Sequence, residues 1–321
     1  MNRMIAFILL VMTACLAGCT AKGEKQADGT VKVRFGEIGV SERAIPIYLG
    51  LKKGFFREQG IDLEITRFNG GPDMMTAAAA GEVDAGSIGT PVILAAAKGV
   101  PVRVVGSPVA PGNPFVLVGR NPYRTVAELK GRKIGAGNVG GGSRQAFIAI
   151  VRAKGFTFAD FQTLDAGGTA NAFAALQAGQ LDGAITSEFS AAKAELAGFG
   201  TVVARAVDCF GHYQHSFFFA TRKFIEANPE KVRGFLEAYR KSIRYAKAHP
   251  EEAIALGTGE LQLEEKPLRL VLGKGIPAWD ERFTVDMEGT NNAIRALKEL
   301  GDLDAGSPIR AEQLVDARFA K

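Results

Sequence analysis

Three stretches of this chain carry residues whose types and spacing could do chemistry. Ala85-Gly86-Ser87-Ile88-Gly89 falls one residue short of G-x-S-x-G, the strained turn that lifts a nucleophilic serine between a strand and a helix. Asp182 or Asp208, followed by His212 or His215, would complete the chain order Ser, Asp, His of a hydrolase. A second stretch, GNVGGGSRQAF from Gly137 to Phe147, sets four glycines ahead of Ser143 and Arg144 and then turns apolar. Glycine-rich turns that open a helix present backbone N–H groups to anions, so a phosphate is one occupant. Aligned as G-x-x-x-x-G, however, Gly137 to Gly142 runs into Ser143-Arg144, without the lysine and hydroxyl that reach nucleotide phosphate and magnesium. The third stretch, His212-Tyr-Gln-His215, spaces two imidazoles three apart. Neither H-E-x-x-H nor C-x-x-C accompanies them, so no metal and no cofactor is expected.

The chain ends narrow the setting. Residues 1–18 place Arg3 ahead of an apolar run and small residues, which is the pattern of an export signal. Leu16-Ala17-Gly18-Cys19 resembles the lipobox of bacterial lipoproteins, making Cys19 the lipidated first residue and residues 19–30 a polar tether. An exported protein lipid-anchored at the cell envelope is the expectation. Of the three cysteines only Cys209 is then left in the body, which excludes a disulfide framework. The formal charge of +5 comes with no dense Lys/Arg run interleaved with aromatics, so nucleic acid is not an expected partner. About 300 residues remain after the signal, enough for two domains at ~100–200 residues each.

The elements that must position these groups alternate. From Val31, VKVRFGEIG reads as a strand, and AIPIYLGLKKGFFREQG as one helix ended by Gly60. IDLEITRF, VDAGSIG and PVRVVGSPV follow as strands, separated by the helical GGPDMMTAAAAGE and TPVILAAAKG. This alternation predicts an α/β fold with a largely parallel sheet. The same order returns from residue 131 in KIGAG, SRQAFIAIVRAKG, FQTLDA, TANAFAALQAGQ and LDGAITSE. At an offset of 98, Ala77, Gly81 and Asp84 are matched by Ala175, Gly179 and Asp182, and Val83 meets Leu181. Gly70-Gly71 likewise answers to Gly167-Gly168. A period near 100 residues means two similar lobes, not a solenoid. It also weakens the hydrolase reading, because Ile185 stands where Ser87 would repeat. Beyond the second lobe, Asn228-Pro229 opens a long helix, Asn as N-cap, with Val232, Phe235, Leu236, Tyr239, Ile243 and Ala246 on its core face.

The run LKKGFFREQGIDLEITRFNGGPDMMTAAAAGEVDAGSIGTPVILAAAKGVPVRVVG, with KIGAGNVGGGSRQAFIAIVRAKGF, NAFAALQAGQLDGAITSE and FIEANPEKVRGFLEAY, resembles the periplasmic binding proteins of ABC importers in the NMT1/THI5-like group. That group includes sulfonate-, taurine-, nitrate- and pyrimidine-precursor-binding members. The resemblance covers most of residues 31–250 and implies an α/β, type II periplasmic-binding-protein fold: two α/β lobes joined by a two-strand hinge, with the ligand cleft between them. Lobe 1 would take 31–114 and 217–321, and lobe 2 would take 115–216. The chain would cross near Asn113-Pro114 and His215-Phe217.

In such sheets ligands lie outside the carboxyl ends of the strands, where loops enter helices. The candidate binding residues are therefore Gly39, Ser41 and Glu42; Asn69, Gly70 and Gly71; Gly89 and Thr90; and Asn138, Gly142, Ser143 and Arg144. Ser187 and Glu188 after the repeated strand, and His215 at a crossing, complete the set. Ser143 would cap its helix or touch the ligand, and Arg144 would add a charge-assisted bond. Gly142-Ser143 matches the Gly-Ser pair common at ligand-binding helix starts of the family, whereas Arg144 and the long glycine run depart from its sulfonate binders. The expected protein is a monomeric solute receptor, not an enzyme, delivering a small anionic or zwitterionic solute to a permease and its ATPase. The alternative is a neutral aromatic such as a pyrimidine, stacked on Tyr48, Phe68 or Phe189.

Overall fold

The structure is a computed structural model describing residues 29–137, 140–274 and 279–320. The signal, Cys19 and most of the tether lie outside the described residues, as does Asn138. Among the described residues, ten strands form two five-stranded sheets. They are β1 (Val31–Ile38), β2 (Ile61–Phe68), β3 (Ala85–Ile88), β4 (Val102–Gly106), β5 (Phe115–Arg120), β6 (Lys133–Gly135), β7 (Gln162–Leu164), β8 (Gly183–Ser187), β9 (Gly200–Arg205) and β10 (Phe217–Thr221). The first sheet has the order β2-β1-β3-β10-β4 and the second β7-β6-β8-β5-β9. Strand by strand the two orders correspond, which is the sequence repeat made visible.

Both sheets are mixed, so the expectation of largely parallel sheets needs correcting. The pairs β1–β2, β1–β3, β6–β7 and β6–β8 are parallel, whereas β10 runs antiparallel to β3 and β4, and β5 to β8 and β9. In each lobe the antiparallel strand is the one delivered by a crossing of the chain. All five residues of β10 are buried, with Phe218 and Ala220 in one apolar cluster and Phe217 and Phe219 in another. A strand covered on both faces reads as a continuous apolar run, as this one does.

Helices cover the faces: α1 (Ile45–Lys52), α2 (Phe55–Glu58), α3 (Gly71–Ala80), α4 (Pro91–Ala97), α5 (Gly142–Ala153), α6 (Thr169–Gln177), α7 (Glu188–Leu196), α8 (Arg222–Ala227), α9 (Pro229–Ala248), α10 (Pro250–Gly259), α11 (Glu265–Gly273), α12 (Met287–Glu299) and α13 (Ala311–Leu314). The single helix expected up to Gly60 is broken into α1 and α2. Gly54 between them adopts φ +75°, the left-handed region that ends a helix. Asn228 does not cap α9 through its side chain either; its backbone N–H ends α8 on Phe224 O, and that shared duty fixes its dihedrals.

Repeated residues do repeated work. Asp84 Oδ2 accepts from the backbone N–H of Arg34 at 3.0 Å, and Asp182 Oδ2 accepts from that of Lys133 at 3.0 Å. Asp84 thereby ties the start of β3 to β1 and Asp182 the start of β8 to β6, so the Asp182 of a supposed triad is committed to that tie. Gly81 and Gly179 end α3 and α6 with φ of +77° and +74°.

The chain passes between the sheets in two segments, 107–114 and 206–216, which run side by side. Gly112 N donates to Tyr213 O at 2.7 Å, and Gln214 Nε2 donates to Ser107 Oγ at 3.0 Å and Ser216 O at 2.9 Å. Residues past 255 do more than cover lobe 1. Leu261, Leu263, Leu268 and Val271 share a core cluster with Phe189 and Ala192 of α7, and Lys193 of α7 pairs with Glu264 at 2.5 Å.

Candidate functional site

Between the sheets lies a cavity of about 270 Å³, lined from both lobes. Three of the helices that begin there share one feature: α3, α5 and α6 have glycine at the N-cap, Gly70, Gly141 and Gly168, with no side-chain cap bond. A helix leaves its first N–H groups without partners inside the helix, and a glycine cap offers no oxygen to take them. Those donors, with the positive end of the helix dipole, face the cavity through Gly70 and Gly71, through Gly141, Gly142 and Ser143, and through Gly168 to Asn171. α7 differs, because Ser187 accepts from Ser190 N and so takes up one of the free donors at its helix start.

His215 stands where the lobes meet. Its ring is 7% exposed, edge-on to Phe115 at 5.0 Å, with Nδ1 3.4 Å from Ser216 Oγ and Nε2 without a partner among the described residues. Burial, and secondarily the charge of Arg43, pushes its pKa down to about 3, so the ring is neutral. A Cβ on Gly89 of lobe 1 would come within 2.5 Å of this ring, and one on Gly142 of lobe 2 would strike its Nε2. The imidazole is thus clasped between two glycines that come from different lobes.

Of the expected binding residues, Gly39, Ser41, Asn69, Gly70, Gly71, Gly89, Gly142, Ser143, Ser187 and His215 line the cavity. Glu42, Thr90, Arg144 and Glu188 are placed elsewhere, and Asn138 lies outside the described residues. Glu42 is 1% exposed, and burial raises its pKa. Arg144 turns from the cavity to Asp302, with 3.5 Å between Nη1 and Oδ1, and rests over Phe158 at 4.8 Å. Glu188 accepts from Arg205 Nε at 2.8 Å. Ser143 is the second residue of α5, so it does not cap that helix; its Oγ packs against Gly137.

Thr90 is fully buried and donates from Oγ1 to Gln145 Oε1 at 2.7 Å, a bond that joins lobe 1 to lobe 2. Thr90→Val keeps the shape and strands the buried Gln145 oxygen. A cost of about 1–3 kcal/mol is expected, which weakens ligand binding about 5- to 150-fold because the bond exists only while the lobes touch. Isothermal titration checks it, and unchanged affinity would dismiss the bond as a contributor to closure.

Several lining residues escaped sequence reasoning. Gly167 to Asn171 were signalled by the repeat of Gly70-Gly71. Glu37, Arg43, Phe115 and Tyr239 also line the cavity and carried no local signal, Glu37 and Tyr239 lying inside a strand and a helix. Tyr48, Phe68 and Phe189 do not line it; Tyr48 accepts from Arg67 Nε at 2.9 Å, and Phe189 is core. Ser87 and His215 line the same cavity, but no hydrogen bond joins the hydrolase set among the described residues. Ser87 pairs within the sheet opposite Phe218, His212 faces Asp286 at 3.3 Å, and Asp182 holds Lys133 N. Among the described residues no cluster of His, Cys, Asp and Glu could hold a metal ion, and no helix is long and apolar enough to cross a membrane.

Comparison with known proteins agrees with this architecture. The chain is 34% identical over 193 residues to an Escherichia coli protein named for binding aliphatic sulfonates, a match spanning 59% of each chain. It is 28% identical over 229 residues to the Saccharomyces cerevisiae protein THI5, named 4-amino-5-hydroxymethyl-2-methylpyrimidine phosphate synthase, covering 65% of each. The crystal structure of the periplasmic aliphatic sulphonate binding protein SsuA from Escherichia coli superposes with a TM-score of 0.73 at 23% identity, covering 90% of this chain and 98% of that one. The family model described as NMT1/THI5 like matches residues 42–253, two thirds of the sequence, and the chain belongs to that family.

Proposed function

We propose that this protein is the extracytoplasmic receptor of an ABC importer, tethered through lipid on Cys19, that captures a small anionic or zwitterionic solute and hands it to a permease. The observation that carries the reading is the convergence of three glycine-capped helix starts, one from lobe 1 and two from lobe 2, on a single cavity. Neutral N–H donors hold an anion without a fixed countercharge, and contact with both lobes makes the ligand favour the closed form. No bond is made or broken; closure bends the crossing segments 107–114 and 206–216, with the boundaries of the lobes at those segments. Kinship to a sulfonate-binding relative and the SsuA-like fold support this reading.

A second reading is favoured by Phe115 and Tyr239, which give the cavity two aromatic rings, and by kinship to THI5. It takes a neutral pyrimidine as the solute. A thermal-shift screen of sulfonates, nitrate, phosphonates, carboxylates, amino acids and pyrimidines separates the two. A ligand at 100 times its dissociation constant adds about 2.7 kcal/mol to stability. We expect a shift with one anionic class, and Ser143→Ala should weaken that ligand about tenfold by deleting a hydroxyl donor to a charged group. A shift with heterocycles alone would replace the anion reading with the aromatic one.

A further inference from the structure

Glu37 and Arg43 are the charged side chains among the described residues that line the cavity, and they are not equivalent. Arg43 is already compensated: its Nε lies 3.9 Å from Glu42 Oε1, and it also feels the charge of Glu188. Glu37 has no ion pair among the described residues. Across the ladder its register partner is Arg67 on β2, whose Nε is engaged with Tyr48 Oη. Tyr239 of α9, 3% exposed, faces Glu37 with a second titratable group that carries no charge at neutral pH. β3 offers no ionisable side chain, and Asp73 of α3 is exposed and outside the lining. The cavity therefore has one end built of neutral N–H donors and, on the β1 side, one carboxyl without an ion-pair partner among the described residues.

We propose that Glu37 is the residue that selects the solute, receiving a cationic nitrogen of a zwitterion whose anionic end lies on the glycine-capped starts of α3, α5 and α6. The inference rests on the receptor reading above and deepens it. A carboxylate withdrawn from water is stable only when paired or protonated. Burial here, opposed by the Ile38 N–H and the charge of Arg67, pushes the Glu37 pKa up to about 8, so without a cationic partner it is mostly protonated at pH 7. A cationic nitrogen favours the ionised form and expels the proton. Binding then releases about one proton at pH 7, and affinity rises about ninefold from pH 6 to 7 and about fivefold from pH 7 to 8 before levelling, because the competent form becomes more populated.

The test uses isosteric pairs that differ by ammonium against methyl: taurine and propane-1-sulfonate, 2-aminoethylphosphonate and propylphosphonate, β-alanine and butyrate. Titration calorimetry of the purified protein in two non-sulfonate buffers of different ionisation enthalpy reads affinity and proton release together. In at least one pair the ammonium member should bind at least 30-fold more tightly and release about one proton. Glu37→Gln should bring that pair within threefold; should this variant fail to fold, the proton count on the unaltered protein decides alone. Methyl members binding as tightly as their partners, or ammonium members binding without proton release, would overturn the role of Glu37 while leaving the receptor reading intact. Silence from all six probes and from the anions of the thermal screen would overturn both.

Discussion

Alanine at Gly142 will weaken solute binding about 5- to 150-fold while leaving each lobe folded. The position is the first residue of α5, where alanine is otherwise well tolerated, so helix propensity does not oppose it. Its methyl group would run into Nε2 of His215, which cannot retreat because Phe115 stands edge-on to the ring and Gly89 closes the other side. Overpacking of this kind costs about 1–3 kcal/mol. Since the collision is between lobes, opening the cleft relieves it, and the cost appears in affinity. His215→Ala in the same chain removes the obstruction. A double-mutant cycle should therefore show coupling of at least about 1 kcal/mol between the two sites. Additive effects in titration calorimetry would mean that the imidazole is not the wedge.

The second large effect belongs to the core beneath the cavity. Phe218 packs against Phe35, Phe235, Tyr239 and Phe283, with ring centroids 6.3, 5.3, 4.9 and 6.0 Å away. Phe218→Ala should cost about 3–5 kcal/mol, the transfer energy of the ring plus the space left behind. That corresponds to a fall of about 6–15 °C in melting temperature. Tyr239 lines the cavity from the other side of this contact, so the same change should also loosen ligand binding. Loss of stability with binding intact would show that Tyr239 keeps its place without Phe218.

Much of this architecture could be read from the chain because the chain says it twice. A match at an offset of 98 paired Asp84 with Asp182 and Gly81 with Gly179, and the structure gives each pair one job. Local pattern failed where the deciding partner is remote. Arg144 looked free to reach a ligand, but Asp302 lies 158 residues further along and claims it. Glu188 was similarly claimed by Arg205. Strand β5 follows no strand-helix alternation, since it comes straight from a crossing and pairs antiparallel with β8 and β9. Glu37 is one polar residue in an alternating strand, and only its place in the cavity wall without an ion-pair partner among the described residues sets it apart from Arg34, which pairs with Asp84.

The position of β10 between β3 and β4 has a consequence for the order in which the molecule can assemble. The second sheet is complete within residues 115–205, its antiparallel member arriving first. The first sheet stays split, with the facing edges of β3 and β4 unpaired, until residues 217–221 have joined the chain. Open edges of buried strands are templates for unwanted pairing, and long-range closures form late. The inserted lobe therefore matures as a self-contained unit inside an unfinished host. The five residues FFFAT then act as a keystone, completing lobe 1 as they draw the segment carrying His215 into its place between the lobes.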